Sequence, residues 1–414
     1  MFLGAIADDV TGGTDLSSVL RRAGLTVVQT LGTLAIPAGA DAVVVSQKIR
    51  TAPPGDARSS AGAAVEALRA AGAERIYLKY CSTFDSPAAG NIGPVIDELL
   101  ARLQGPFTIA CPAYPALSRT VYNGHLFVGR QLLSESSMRH HPLTPMTDAN
   151  LVRVLGRQTR SRVGLVELAT IETGPNAVAR RLAELADEGI AVAIVDALFD
   201  RHLEVIAEAS SRLRLITGGA ALGGALAHVD RRRGEAKENG HAVQVRAPIA
   251  MLSGSCSAAT LAQIEQAAGA LPTRALDPMK IGEDAGELPR LIEWACDRIA
   301  TGSVLLYSSG APSQVQAVQQ HLGHAQAAAL VERTFGSLAA ALAERGVRTF
   351  VVAGGETSGA VLEALRIRML TFGEELDPGV PWTSSLEPEG FVFALKSGNF
   401  GSPNFFVKAL ERAR

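Results

Sequence analysis

Asp8 and Asp9 open the run Asp8-Asp9-Val10-Thr11-Gly12-Gly13-Thr14-Asp15. Adjacent carboxylates among hydroxyls and glycines can accept hydrogen bonds from a polyol or hold a metal ion. They suit a phosphate poorly, because like charges repel. The structural alternative is a cap: Thr14 or Asp15 would cap a helix starting near Asp15, with both Asp left in solvent. A second constellation is Lys79-Tyr80-Cys81-Ser82-Thr83-Phe84-Asp85. There Lys79 with Ser82 could fix a substrate carboxylate. An ordinary exposed turn accounts for the same string.

The last third carries three Gly/Ser-rich loops, each after an apolar run. They are Ser253-Gly254-Ser255-Cys256-Ser257, Gly354-Gly355-Glu356-Thr357-Ser358-Gly359 and Lys396-Ser397-Gly398-Asn399-Phe400-Gly401-Ser402. Glycine has no Cβ to keep a ligand off the backbone. The first N–H groups of a following helix are unpaired and its dipole end is positive, which suits phosphate. Several such loops in one region point to a nucleotide, although one Gly loop after a strand is common in any α/β fold. There is no GxxxxGK[ST], which excludes a P-loop protein. No GxGxxG follows the first strand, which argues against a NAD-type oxidoreductase, kept as an alternative.

Two further stretches carry candidates. Residues 112–148 are long and poorly periodic, as functional lids and edges are. Arg119, Asn123, His125 and Arg139 within them are candidates to contact an anionic substrate. His140-His141 is read as surface rather than as a zinc site. Phe372 to Pro381 is acidic and Pro-containing, and reads as a loop between strands. Near ATP such a loop could hold magnesium or face the transferred phosphoryl group, with a simple turn as the plain alternative.

These residues need elements to position them. β-rich runs alternate with Ala/Leu-rich stretches, which predicts parallel sheets with crossover helices. Strands are expected at 3–7, 26–31, 42–46, 75–79, 107–111, 163–165, 190–195 and 213–217. A second set is expected at 249–252, 274–276, 303–307, 349–352, 370–373 and 391–395. Helices are expected at 59–71, 92–103, 176–188, 258–268, 287–300, 314–345 (broken near Gly323) and 358–365. The charged segment 231–241, RRRGEAKENGH, reads as a linker. It separates a domain at 1–235 from one at 245–414. The fold class expected is α/β, two domains each with a mainly parallel sheet flanked by helices.

Composition narrows the partners. The chain has 414 residues, 47% hydrophobic and 19% charged, with a net charge of -2. That length suggests two domains. The charge makes no case for nucleic acid or an anionic membrane. The 4 Cys lack metal-ligand spacing and suit a reduced, cytoplasmic protein. The N-terminus meets two acids at once, so it is read as a strand rather than a signal peptide. No apolar run approaches about 18 residues. A homodimer is left open.

Taken together, several strings resemble the four-carbon acid sugar kinases. They are IADDVTGGTD, KYCSTFDSPAAGNIGPV, CPAYPALSRTVYNGHLFV, SGSCS, AGGETSGAV, GEELDPGVPW and LKSGNFGSPNFF. The second and third are similar to the branch acting on 3-oxo-tetronates. The resemblance covers nearly the whole chain. It implies an N-terminal acid-sugar domain, a C-terminal ATP domain and an active site in the cleft between them. It also implies transfer of the γ-phosphoryl group of ATP, with Mg²⁺, to the 4-hydroxyl of a small acid sugar. Substrate would then meet Asp8, Asp9, Thr11, Gly12, Lys79, Ser82 and Arg119. ATP would meet Ser255, Ser257, Gly354, Gly355, Glu356, Thr357, Ser358, Gly359, Lys396, Ser397, Gly398, Asn399, Phe400 and Gly401. Asp8 or Asp9 is the first choice to orient or deprotonate the hydroxyl, and Asp377 the second; metal ligands are not assigned. Val10, Gly13 and Arg130 depart from the pattern, where an aromatic, an alanine and an acidic or small residue are usual. They bear on substrate preference, so a threonate or erythronate kinase remains an alternative. So does a binding protein without catalysis.

Overall fold

The computed structural model describes residues 3–33, 35–141, 143–231, 243–310, 312–398 and 400–413. The expected linker beyond Arg231, and Asn399, lie outside them. The chain forms two compact units, Met1–Asn239 and Gly240–Arg414.

The first unit holds strands β1 (Leu3–Ala7), β2 (Val27–Leu31), β3 (Ala42–Ser46), β4 (Arg75–Lys79), β5 (Thr108–Cys111), β6 (Arg119–Tyr122), β7 (His125–Val128), β8 (Gln131–Leu132), β9 (Arg162–Val166), β10 (Ile190–Val195) and β11 (Leu215–Gly218). Eight of them form one sheet in the order β2-β3-β1-β4-β11-β5-β10-β9. Every described pairing in it is parallel. All five residues of β1 and of β3 are buried, as expected for strands covered on both faces. Each large apolar side chain so buried contributes roughly 1.5–3 kcal/mol. The covering helices earn their places by period: Ile92, Val95, Ile96, Leu99, Leu100 and Leu103 form the buried stripe of helix Ile92–Leu103.

The order of the strands decides where a ligand can go. β1 leads through helix Val10–Arg22 to β2 on one side, and β4 leads through helix Ile92–Leu103 to β5 on the other. β1 and β4 are neighbours, with Ala7 opposite Lys79. Chains leaving two adjacent strands in opposite directions open a crevice beyond their carboxyl ends.

The second unit holds β12 (Ile249–Ser253), β13 (Thr273–Ala275), β14 (Val304–Tyr307), β15 (Thr349–Ala353), β16 (Met369–Asp377), β17 (Val380–Glu387) and β18 (Glu389–Lys396), in the order β13-β14-β12-β15-β18-β17-β16. β17 is antiparallel to both its neighbours. β12 leads to β13 on one side and β15 to β16 on the other, so the switch point of this sheet lies between β12 and β15. The helix expected over 314–345 is two, Pro312–Leu322 and His324–Glu344, parted at Gly323.

Four expectations are corrected. The first helix begins at Val10, not near Asp15, because Asp9 is its extended N-cap and accepts the Gly12 N–H at 2.5 Å. Thr11 to Thr14 are therefore its first turn rather than a loop. The helix after β15 begins at Gly355, so most of the expected Gly354–Gly359 loop is helical too. Phe372–Pro381 is no loop: β16 runs to Asp377 and β17 starts at Val380, leaving Pro378-Gly379 as a tight turn with Gly379 at φ +79°. Residues 112–148 contain the antiparallel sheet β6-β7-β8 and short 3₁₀ turns. Asp196 ties its hairpin down, accepting N–H bonds from Asn123 at 2.8 Å and Gly124 at 2.9 Å.

Candidate active site

In the first unit, the crevice between β1 and β4 gathers Asp8, Asp9, Gly12, Asp15 and Lys79. The Asp8 N–H donates to the Lys79 carbonyl at 3.0 Å, which fixes the two strand ends together. Lys79 is 2% exposed. Its Nζ lies 3.7 Å from Asp15 Oδ2. A Cβ on Gly12 would stand 2.6 Å from Asp9 Oδ1 and 3.2 Å from Lys79 Nζ. The missing side chain thus leaves the ammonium and the carboxylate close to one bare turn of backbone. Ser82 is half-buried on the loop leaving β4.

A residue absent from the sequence expectations organises this group. Arg50 follows β3 and forms a two-pronged pair with Asp8, Nε to Oδ2 at 2.8 Å and Nη2 to Oδ1 at 2.9 Å. Its Nη1 lies 2.8 Å from Asp9 Oδ2 and 3.7 Å from Asp85 Oδ2. Asp85 also accepts Thr83 Oγ1 at 2.7 Å. Burial raises the Asp8 carboxyl above its ordinary range, against the pull of Arg50. Burial likewise raises Asp15, against Lys79. Arg50 loses solvation, yet Asp8 and Asp9 push it well above its ordinary value. Cys81 is pushed up to about 12 by burial and Asp85, so it is a thiol and no nucleophile. Behind the cluster lies a cavity of about 20 Å³, lined in part by Asp8, Arg50, Asp85 and Asn91. That is room for a water. The signal for Arg50 was its place: segment 47–50 leaves the carboxyl end of a strand neighbouring β1, as Asp8 and Lys79 leave theirs.

Arg119 stands apart from this group. It lies on β6, its Nη1 donates to the Leu117 carbonyl, and no described hydrogen bond or ion pair joins it to Asp8, Asp9 or Lys79. His125 and Arg139 are engaged locally, with Asn123 and Asn150 for the first and the Ser134 carbonyl for the second.

In the second unit, the loops after β12, β15 and β18 converge. Gly254 N and Ser255 N donate to the Ala353 carbonyl at 3.0 and 3.2 Å, and Gly354 N donates to the Lys396 carbonyl at 3.0 Å. A Cβ on Gly254 would stand 2.2 Å from Thr357 Oγ1, and one on Gly398 2.5 Å from Ser255 Oγ. These glycines let loop meet loop. The two helix starts differ. Ser257 caps helix Ala258–Ala267 through Thr260 N and donates to the Gly398 carbonyl at 2.5 Å. Gly354, at φ +117°, offers its helix no side-chain cap, an arrangement whose first amides could meet an anion. Glu356 in the same turn is exposed, whereas Thr357, Ser358 and Gly359 are buried. Ser358 Oγ returns to the Gly354 carbonyl at 2.8 Å.

Lys396 is fully buried and does not reach outward. Its Nζ donates to Thr260 Oγ1 at 2.9 Å, to the Gly398 carbonyl at 3.0 Å and to the Ser397 carbonyl at 3.3 Å. Burial lowers its pKa to about 7. Gln263 Nε2 donates to the carbonyls of Phe400, Gly401 and Ser402 at 3.1, 2.9 and 3.0 Å. Asp377 pins the end of the same loop, accepting Ser402 N at 2.9 Å, Ser402 Oγ at 2.7 Å and Lys408 Nζ at 2.5 Å. Burial works to raise its carboxyl, but these donors outweigh that and hold it low. Asp377 is thus committed within the fold. Thr260, Gln263 and Lys408 were not legible beforehand; they lie on helices whose polar residues look like solvent-facing ones.

Among the described residues, no group of three His, Cys, Asp or Glu side chains could hold a metal ion. No described helix is long and apolar enough to cross a membrane.

Residues 3–226 match the sugar-binding N-terminal domain family and residues 250–406 the nucleotide-binding C-terminal domain family. The chain is 48% identical over 414 residues to the 3-oxo-tetronate kinase of Burkholderia multivorans, covering 99% of this chain and 96% of the relative. It is 40% identical over 410 residues to that of Haemophilus influenzae, covering 98% of each. Among solved structures, one from Salmonella typhimurium LT2 superposes with a TM-score of 0.88 at 40% identity over 98% of both chains. One from Haemophilus influenzae superposes at 0.79 with 40% identity, over 99% of this chain and 100% of the other.

Proposed function

The chain belongs to the family built from a sugar-binding N-terminal and a nucleotide-binding C-terminal domain, and we propose that it is a kinase phosphorylating 3-oxo-tetronate with ATP. The observation that carries the chemistry is the meeting of Asp9, Gly12 and Lys79 at the switch point of the first sheet. Lys79 supplies a buried ammonium for the substrate carboxylate. Asp9, whose side chain is 28% exposed, supplies the oxygen that orients and takes the proton of the 4-hydroxyl. All three acids are engaged, Asp8 by Arg50, Asp377 by Lys408 and Ser402, and Asp9 by Arg50 and Gly12, but Asp9 is the most exposed of them, at 28% against 9% and 2%, which favours it as the base.

The second unit takes the nucleotide. The amides of the turn after Gly354 fit the phosphates, with Ser255 and Gly398 forming the neighbouring wall. Asp8, Asp9 and Asp85 turn onto Arg50, and among the described residues no three carboxylates form a metal cage. Glu356, exposed in the turn after Gly354, would be the residue to hold Mg²⁺. The ion would neutralise charge on the phosphates when bound. Phosphoryl transfer needs alignment and charge neutralisation more than covalent help.

The test is coupled ADP release with Mg·ATP against 3-oxo-tetronates, 2-oxo-tetronates, threonates and erythronates. Turnover confined to the 3-oxo acids is expected. Turnover on threonate or erythronate alone would move the substrate, and none with any acid would reject the assignment.

A further inference from the structure

Arg50 is delivered to the cluster by backbone held from two sides. Ile49 N and Arg50 N both donate to the Asp8 carbonyl, at 3.1 and 3.2 Å. From the other side, Asn91 Nδ2 donates to the carbonyls of Ile49 at 2.7 Å, Arg50 at 3.3 Å and Ala52 at 2.7 Å. One amide side chain at the start of helix Ile92–Leu103 thus grips three carbonyls around Arg50. The guanidinium projects from a fixed point, and its planar fork has one arrangement that meets both oxygens of Asp8.

The same guanidinium also meets Asp9. With Nε and Nη2 facing Asp8, Nη1 lies 2.8 Å from Asp9 Oδ2. Asp9 Oδ1 is held by Gly12 N at 2.5 Å. The carboxylate is therefore held at both ends. It still has lone pairs to offer, because each carboxylate oxygen accepts two hydrogen bonds. A lysine at position 50 would keep one charge but could not form the fork and the third contact together.

We propose that Arg50 is the positioning residue of the acid-sugar half-site: pinned by Asp8, it holds Asp9 in the one orientation that meets the acceptor hydroxyl. This rests on the kinase reading above, with Asp9 as the group that takes the proton. Asp8 is then the anchor of the guanidinium and touches no reacting atom. Asp85, 3.7 Å from Nη1, is a weaker third anchor.

The test compares Arg50→Lys, Arg50→Ala and Asp9→Asn in the full chain with the parent. Thermal midpoints, kcat, and KM for ATP and for the acid are read for each. Arg50→Lys should remain folded, keep its KM for ATP and lose kcat roughly 10²-fold, the scale of a 1 Å misplacement. Millimolar guanidinium should restore part of the kcat of Arg50→Ala, which a merely structural role would not allow. If Arg50→Ala does not fold, Arg50→Lys carries the test alone. A folded Arg50→Lys with kcat within twofold of the parent overturns the proposal. Asp9→Asn separates the two claims. If it turns over like the parent while Arg50→Lys is damaged, Asp9 is not the group that Arg50 positions and the proposal is overturned, while ADP release by the parent keeps the kinase reading.

Discussion

Asp9 Oδ2 lies 2.8 Å from Arg50 Nη1, while Oδ1 of the same carboxylate accepts the N–H of Gly12 at 2.5 Å. One side chain therefore caps a helix, meets a guanidinium and remains 28% exposed. The cap role and the chemical role can be separated, because asparagine caps a helix about as well as aspartate.

Asp9→Asn should accordingly keep the fold and ATP binding, and lower kcat by roughly 10²- to 10⁴-fold, the range for loss of a general base. Steady-state kinetics with thermal unfolding checks this. Unchanged turnover would remove Asp9 from the mechanism.

Asp377→Asn should behave in the opposite way. Its carboxylate ties Ser402 and Lys408 to the end of β16. Removing the charge should cost about 1–3 kcal/mol of stability and raise the KM for ATP, with kcat at saturating ATP little changed. Because the folded carboxyl is held low, its contribution is present above the unfolded value of 3.8 and fades as pH falls through the folded one. A collapse of kcat instead would return Asp377 to the list of bases.

Lys396 gives a pH slope of the same sign at higher pH, but from a group that destabilises. Its folded pKa is about 7 against an ordinary 10.5, so the unfolded chain binds more protons between those values. This group's destabilisation is complete below about pH 7 and is relieved as pH rises toward 10.5, by at most about 1.4 kcal/mol per pH unit. Urea unfolding of the parent and Lys396→Met from pH 6.5 to 9 should show the parent gaining on the variant as pH rises. Parallel curves would mean that Lys396 is charged throughout.

Gly13 stands where the acid sugar kinase pattern that its string resembles has alanine, and in this structure a Cβ there would be crowded. A Cβ at 13 would lie 1.9 Å from Ser46 Oγ and 2.7 Å from Gln29 Nε2. Those two groups are bonded to each other at 2.7 Å. Gly13→Ala should cost about 1–3 kcal/mol, and less in a Ser46→Ala background, where the 1.9 Å clash is gone and the 2.7 Å approach to Gln29 Nε2 and the 3.2 Å contact to the Cβ at position 46 remain. A double-mutant cycle by urea unfolding reads the coupling, expected at about 0.5–3 kcal/mol; simple additivity would refute the clash.

Much of this molecule could be read in advance. Runs such as Leu3–Ala7 and Ala42–Ser46 are apolar throughout because both sheet faces are covered. The ends of β1 and β4 were visible as places where apolar runs stop at Asp8 and Lys79. Boundaries were misjudged where one side chain decides them. Asp9 starts its helix early by capping it, and the turn at Pro378-Gly379 folds an acidic stretch into two strands.

The amino-acid sequence by itself determined the alternation of strands and helices, the glycine-rich strand ends and the acid pair. Each of these depends on neighbours a few residues away, through side-chain period or backbone freedom. Tertiary structure alone decided what the charges do. Arg50 is 42 residues from Asp8, and Lys396 is 136 from Thr260. Strand order brings each pair together, and no local pattern encodes it. It also decided which acid stays exposed enough to act, since the fold sets distant donors beside all three candidate acids and leaves Asp9 at 28% exposure.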